Sequence, residues 1–147
     1  MSTPTARRRA RELALQGLYE RQVGANADAA IEADLAASPG YARADQAYFR
    51  ELWSGVTREY DSLLAAVAPK LDRKASALAP VERALLVIGA WELLRRPDIP
   101  YRAVINEAIE LAKSYGGTDA HKFVNGVLDK LAPELRADEI RAAANHG

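Results

Sequence analysis

Four arginines near the start of the chain are the residues best suited to bind another molecule. Arg7, Arg8, Arg9 and Arg11 lie directly before an apolar helical pattern that begins at Leu13. A guanidinium carries five donors in a planar fork that matches phosphate oxygens. Positive charge at a helix N-terminus opposes the helix dipole, so this placement costs helix stability. Because such a conflict between charge and local structure often marks a functional site, we expect a binding surface here.

An aromatic residue extends this cationic segment. Successive helical residues turn by about 100°, so Tyr19 falls within about 20° of Arg8. With Arg11 and Leu15, these two fall away from an apolar stripe formed by Ala10, Leu13, Ala14, Gly17 and Leu18. An aromatic ring beside guanidinium groups stacks unpaired bases while the cations hold phosphates. Two other interpretations stay open at this point: the arginines form a solvated helix end, and Tyr19 packs under the second helix.

The rest of the chain offers little for catalysis or metal binding. It has no cysteine, and His121 and His146 have no second ligand or base at a suitable spacing. Glu107 and Glu110 could form a carboxylate pair, but Glu110 and Lys113 form an ordinary exposed helix pair, which we favour. We therefore expect no catalytic residue, no metal ligand and no cofactor. The sequence favours a binding protein over an enzyme.

Length and composition are typical of one globular domain. The chain has 147 residues, of which 49% are hydrophobic and 27% charged. Its net charge is zero, but residues 1–21 carry a net charge of +3 and residues 22–72 a net charge of −4. A neutral chain with one basic end suits a short, local contact with nucleic acid. No apolar run approaches the ~18–20 residues that cross a membrane, so we expect a cytoplasmic protein without membrane contact.

Helical periodicity runs through the chain, and no stretch alternates with the period of a strand. Breakers and caps predict helices over residues 4 or 5 to 24, 26 to 37, 44 to 68, 80 to 95 and 100 to 115, and from a Thr118 or Asp119 cap to about Pro133. The helix over residues 80–95 has few polar positions and is expected at the centre of the core. Residues 135–147 are expected to form a frayed tail. The predicted fold is all-α: a compact single-domain bundle of about six to seven helices over residues 1–147.

Two blocks of sequence resemble the NusB family of bacterial transcription antitermination factors. The first, over residues 7–19, contains RRRARE and then ALQ and LY. The second contains PYR at 100–102, INEAIELAK at 105–113 and HKFVNGVLD at 121–129. This second block is long and specific, although Ala120 stands where the family usually has a serine. The resemblance extends over nearly the whole chain.

The resemblance implies an all-helical protein that binds the boxA element of nascent, single-stranded RNA. Its implied partner is ribosomal small-subunit protein ten, known in this role as NusE, and the pair loads an antitermination complex onto RNA polymerase, notably on ribosomal RNA operons. The arginine cluster and Tyr19 match the family's RNA-binding helix. A second RNA-facing segment matches Tyr115, Asp119, Lys122 and Phe123, and the region that contacts NusE matches Glu82 and Arg83.

Two alternatives are kept beside this interpretation. A related domain forms the RNA-binding part of some ribosomal RNA cytosine methyltransferases, whose chains continue into a catalytic domain with a reactive cysteine. A chain of 147 residues without cysteine does not match that description unless it is a fragment. A helical protein–protein adaptor would explain the helices but not four arginines at one helix start. Salt-dependent binding to a short RNA separates the two.

Overall fold

The structure is a computed structural model that describes residues 3–24 and 26–146, without the side chain of His146. The expectation for His146 therefore lies outside the described residues. Within the described ranges the chain is all-α, as predicted, with eight α-helices and three short 3-10 turns and no strand. The chain divides into two compact units, Met1–Tyr60 and Asp61–Gly147, and each is described by itself. The single-domain organisation stays a prediction.

The first unit is built around its first helix. It contains α1 (Pro4–Val23), α2 (Asp28–Ala36), a 3-10 turn (Pro39–Arg43) and α3 (Gln46–Arg58). The Thr3 hydroxyl accepts a hydrogen bond from the Ala6 amide at 3.0 Å and caps α1. A Cβ atom at Gly17 would lie 2.6 Å from Trp53 and 2.9 Å from Leu35. Glycine at this position therefore lets α1 approach both neighbours closely.

Two expectations for the first unit are wrong. Arg11 and Leu15 are buried, at 4% exposure each, although the helical wheel placed them away from the core stripe. The reason is that α1 packs against α2, α3 and the 3-10 turn, so an arc wider than one stripe is covered. The N-cap of α2 is Ala27 rather than Asn26, and it makes no side-chain capping bond.

The helix predicted over residues 44–68 is interrupted. It forms α3, which ends at Arg58, and α4 (Tyr60–Val67), which begins at the boundary of the units. The Thr57 hydroxyl donates a hydrogen bond to the Trp53 carbonyl at 2.7 Å, in the last turn of α3. Hydroxyls that bond back to the preceding turn bend and weaken helices. This break is one reason why the structure has more helices than predicted.

The second unit is organised by a helix that is buried along most of its length. Its longer helices are α5 (Pro80–Arg95), α6 (Tyr101–Tyr115), α7 (Ala120–Leu135) and α8 (Ala137–His146). Short 3-10 turns at Ala68–Lys70 and Ala75–Ala77 precede α5. The residues from Ala84 to Leu93 are all buried, which confirms the central position predicted for α5. A Cβ atom at Gly89 would lie 3.0 Å from Leu128, so α5 and α7 pack closely.

The tail predicted to be frayed forms α8 in its described part. Its anchor is Arg136, which is 5% exposed. The guanidinium donates hydrogen bonds to the carbonyls of Leu93 at 2.7 Å, Glu92 at 3.1 Å and Arg96 at 2.8 Å. It also pairs with Glu139, whose carboxylate accepts a hydrogen bond from the Tyr101 amide. Arg136 thereby caps the carboxyl end of α5, and its partner caps the start of α6.

Candidate nucleic-acid interface

Two of the four clustered arginines contact one aromatic ring of the first unit. The Cζ atom of Arg7 lies 4.6 Å from the centre of the Tyr48 ring, and that of Arg11 lies 5.7 Å from it. The two arginines are one helical turn apart, so they share a face of α1. The negative face of the ring attracts both cations. Arg11 is therefore a buried side chain with a packing partner inside the protein.

The ring is held in place by the start of α3. The Asp45 carboxylate accepts a hydrogen bond from the Tyr48 amide at 3.0 Å, which caps this helix. The Asp45 amide in turn donates to the Ala6 carbonyl of α1 at 2.9 Å. These two bonds fix the beginning of α3 against the arginine-bearing turn of α1. The orientation of Arg7 and Arg11 is thus set by the fold of the unit.

The other residues of this segment face solvent to a greater extent. Arg8 is exposed and Arg9 is half-buried. Tyr19 is 44% exposed, so its ring is not packed beneath α2 as the alternative interpretation required. The first turn of α1 contains no acidic residue. Arg8 and Tyr19 therefore remain as an exposed cation and an exposed ring on one face of the helix, about 16 Å apart along its axis.

In the second unit, a tight turn joins α6 to α7. Tyr115, the last residue of α6, is 51% exposed. A Cβ atom at Gly116 would lie 2.6 Å from the Ala120 Cβ atom and 2.7 Å from the Ala112 carbonyl oxygen, so the turn requires glycine here. Asp119 has a φ of 67°, in the left-handed region. It occupies the N-cap position of α7, but the expected side-chain cap is absent there, and Thr118 does not supply it.

The side chain of Asp119 points instead to the next turn of α7. Its carboxylate lies 3.4 Å from the ammonium group of Lys122, and both side chains are largely exposed. Phe123 is half-buried, and its ring is covered by Arg73, whose Cζ atom lies 4.4 Å from the ring centre. The structure thus gathers three of the expected residues at the first turn of α7. It also adds Arg73, which no local pattern could have selected because this residue is distant from Phe123 along the chain.

Arg73 is held by its neighbour in sequence. Its Nε atom donates to the Asp72 carboxylate at 2.8 Å, and its Nη2 atom donates to the second oxygen at 3.4 Å. This hydrogen bonding lowers the pKa of the Asp72 carboxyl, and the nearby charges of Arg73 and Lys130 act in the same direction. It also raises the pKa of Arg73, to which the charge of Glu82 contributes.

Glu82 and Arg83 occupy the first turn of α5 and are both half-buried. Arg83 donates a hydrogen bond to the Ala75 carbonyl at 3.0 Å and so holds the 3-10 turn that precedes α5. Within the part of the chain that the structure describes, the Glu82 side chain has no comparable hydrogen bond to the backbone. Elsewhere in the unit, Glu110 and Lys113 lie 3.6 Å apart as an exposed pair, which confirms the ordinary interpretation of those residues.

The described residues contain no helix long and apolar enough to cross a membrane. Within the same ranges, no group of three or more histidine, cysteine or carboxylate side chains has the arrangement of a metal site. The arginine–tyrosine face of α1 and the Asp119–Phe123 turn of α7 are the two candidate surfaces that the sequence predicts. Both combine cations with aromatic rings, the combination that recognises unpaired nucleotides.

Comparison with known proteins gives one consistent family. The NusB family model matches residues 8–133. The chain is 51% identical to the transcription antitermination protein NusB of Thiobacillus denitrificans, over 94% of this chain and 95% of the relative. It is 52% identical to that of Ralstonia pickettii, over 94% and 89%.

Solved structures agree. NusB of T. maritima matches with a TM-score of 0.71 and 30% identity, over 91% of this chain and 94% of that one. A crystal structure of the antitermination factors NusB and NusE with double-stranded RNA matches with a TM-score of 0.76, over 90% and 99%. Because the identity is 22%, this match shows similarity of the fold alone. Together with the family model and the relatives that are half identical, these matches show that the chain belongs to the NusB family.

Proposed function

We propose that this chain is a transcription antitermination factor that binds boxA-type single-stranded RNA together with NusE. The observation that carries the proposal is the exposed face of α1, where Arg8 and the 44% exposed ring of Tyr19 stand on one side of a helix without acidic residues in its first turn. The name of the half-identical relatives, transcription antitermination protein, supports the process in which the chain acts.

The geometry suggests how the RNA is held. Arg8 and Arg9 supply donors for phosphate oxygens, and Tyr19 supplies a face on which a base stacks. Arg7 and Arg11 are held against Tyr48, and their charges add to the positive potential that attracts RNA to this end of α1. The second segment contributes Tyr115, Lys122 and Phe123, and Asp119 orients Lys122. No step in this scheme needs a catalytic residue, a metal ion or a cofactor, so we propose that the protein is not an enzyme.

The proposed protein partner is NusE, which stands beside NusB and RNA in one of the structural neighbours. Glu82, half-buried at the start of α5, is the contact residue that we propose for this partner. Arg83 contributes by holding the turn before α5 through its bond to Ala75. The complete assembly would deliver the pair to RNA polymerase on ribosomal RNA operons. We therefore propose that the protein acts in the cytoplasm, without contact with a membrane.

A titration of labelled boxA RNA, with and without NusE, tests the proposal. The net charge of the chain is zero, so we expect weak affinity for RNA alone and a gain of about tenfold or more when NusE is present. By linkage, RNA must raise the affinity for NusE by the same factor. Binding that does not depend on salt, or binding to NusE with no response to RNA, would instead favour a protein–protein adaptor.

The variant Glu82→Lys separates the partner surface from the RNA surface. We expect it to reduce RNA binding in the presence of NusE. Without NusE, the added positive charge near Arg73 should leave RNA binding unchanged or make it slightly stronger. Glu110→Lys, an exposed carboxylate of α6 with the same change of charge, is the matched control. An equal loss with and without NusE would remove Glu82 from the partner surface.

A further inference from the structure

Arg73 makes two kinds of contact at once, one with an aromatic ring and one with a carboxylate. Arg73 lies over an aromatic ring at 4.4 Å and binds Asp72 through two nitrogen atoms. Its side chain is nevertheless 43% exposed. A guanidinium that is already held by a ring contact and hydrogen bonds loses less conformational freedom when it binds a ligand than a freely moving one does. Such a group is prepared to bind an anion from solvent.

The surroundings of Arg73 suit a nucleic acid. Phe123 lies in the first turn of α7, next to the exposed ammonium of Lys122. Lys74 follows Arg73 in the chain and is exposed, and the charge of Lys130 acts on Asp72. Guanidinium groups bind phosphate through two parallel hydrogen bonds, and their planes also stack on bases. The exposed cations and the ring together match a phosphate with its base.

We propose that Arg73 is an RNA-contacting residue whose guanidinium binds a phosphate beside Phe123, and that Asp72 competes with RNA for this guanidinium. The inference rests on the proposed RNA-binding function and extends it to the segment before α5. In the free protein, the Asp72 carboxylate occupies the donors that a phosphate would use. Binding of RNA exchanges one anionic partner of Arg73 for another. Asp72 thus lowers the affinity for an RNA that places a phosphate there, because the phosphate must displace the carboxylate.

Charge-matched variants test this proposal. The experiment is a titration of labelled single-stranded boxA RNA against the full chain over a series of salt concentrations, with and without NusE. Loss of one phosphate contact in Arg73→Ala should weaken binding about fivefold to tenfold near 0.1 M salt and reduce the salt slope by about one. Removal of the competing carboxylate in Asp72→Asn should strengthen binding about twofold to fivefold.

The second unit offers a matched control pair on α8. Arg141 and Asp138 form an exposed ion pair at 2.9 Å, with the same residue types and charges. Arg141→Ala and Asp138→Asn therefore change the net charge by the same amounts at another place. If Arg73→Ala and Asp72→Asn behave like these controls, the proposal is wrong while the proposed function stands. If the wild-type chain binds no RNA with or without NusE, the proposed function fails as well.

The two variants also guard against a trivial loss of folding. A misfolded protein can lose affinity but does not gain it, so the strengthening expected for Asp72→Asn cannot arise from unfolding. Arg73→Lys adds a further readout, because it keeps the charge and loses the planar fork. We expect it to restore the salt slope and part of the affinity. A salt slope as low as that of Arg73→Ala would contradict a phosphate contact at this position.

Discussion

Each of the two units places an arginine over an aromatic ring, but the two arginines differ in exposure. Arg11, over Tyr48, is 4% exposed, whereas the Arg73 side chain, over Phe123, is 43% exposed. The first arrangement satisfies a buried cation within the protein. The second leaves donors within reach of solvent. An arginine in a basic cluster is thus a binding residue only where the fold leaves it accessible, and residue type alone does not decide this.

The same contrast separates Arg136, which is 5% exposed, from the exposed arginines. Replacing Arg136 by alanine removes one charged donor from each of three carbonyls at the end of α5 and removes the ion-pair partner of Glu139. We expect the free energy of unfolding to fall by about 3 kcal/mol, because bonds from a charged donor to buried carbonyls are among the stronger ones. Denaturant unfolding measures this.

Arg141→Ala, at an exposed position of α8, is the control for this change and should alter stability by less than about 0.5 kcal/mol. RNA affinity at a temperature where the Arg136→Ala protein is folded should stay near that of the wild type. An equal effect of the two substitutions on stability would mean that the contrast between buried and exposed arginines has been drawn wrongly.

Tyr19→Asp tests an exposed residue of the first unit. We expect RNA affinity to fall by about 1–3 kcal/mol, since a stacking face is lost and a negative charge is added near phosphates. Because the ring is 44% exposed, the unfolding temperature should change little. Tyr19→Phe keeps the ring and should retain most of the affinity. A protein that unfolds on substitution of Tyr19 to Asp would show that the ring belongs to the core.

Arg8 and Arg11, on the same helix, give the most direct comparison. Arg11→Ala should reduce stability by about 1–2 kcal/mol, because a desolvated cation–ring contact is lost. Arg8→Ala should change stability by less than about 0.5 kcal/mol and weaken RNA binding about fivefold to tenfold near 0.1 M salt. Measuring unfolding and RNA titration on both variants checks the division. A loss of stability in Arg8→Ala, with a loss of RNA affinity in Arg11→Ala, would contradict this division of roles.

Much of the fold follows from local signals. The helix over residues 80–95 was predicted with its observed bounds, since Pro80 starts it and Arg96 and Pro97 end it. The interruption after Arg58 was not predictable from apolar spacing, because Thr57 acts through a hydroxyl bond to the backbone. The α8 helix was missed because its anchor, Arg136, bonds carbonyls that are distant in sequence. Contacts between residues distant in the sequence cannot be predicted from the local pattern of apolar and polar residues.

The candidate site divides in the same way. Residue types identified the arginine cluster and Tyr19, and the resemblance supplied Tyr115, Asp119, Lys122 and Phe123. A helical wheel gives an angle but not the number of neighbours, so it could not show that Arg11 faces Tyr48. Nor could it bring Arg73 to Phe123, because that contact depends on the path of the chain before α5.

The first turn of α1 has a consequence for dynamics. It contains no acidic residue, and Arg7, Arg8 and Arg9 follow Pro4 within the first two turns, so their charges work against the helix that carries them. The Thr3 cap opposes this effect through its hydrogen bond to the Ala6 amide. A bound phosphate would supply the missing negative charge, and the binding of RNA would at the same time be the stabilisation of a helix end. Amide hydrogen exchange should therefore slow at residues 6–9 when RNA binds, and the exchange rate of this turn would measure how much RNA is bound to it.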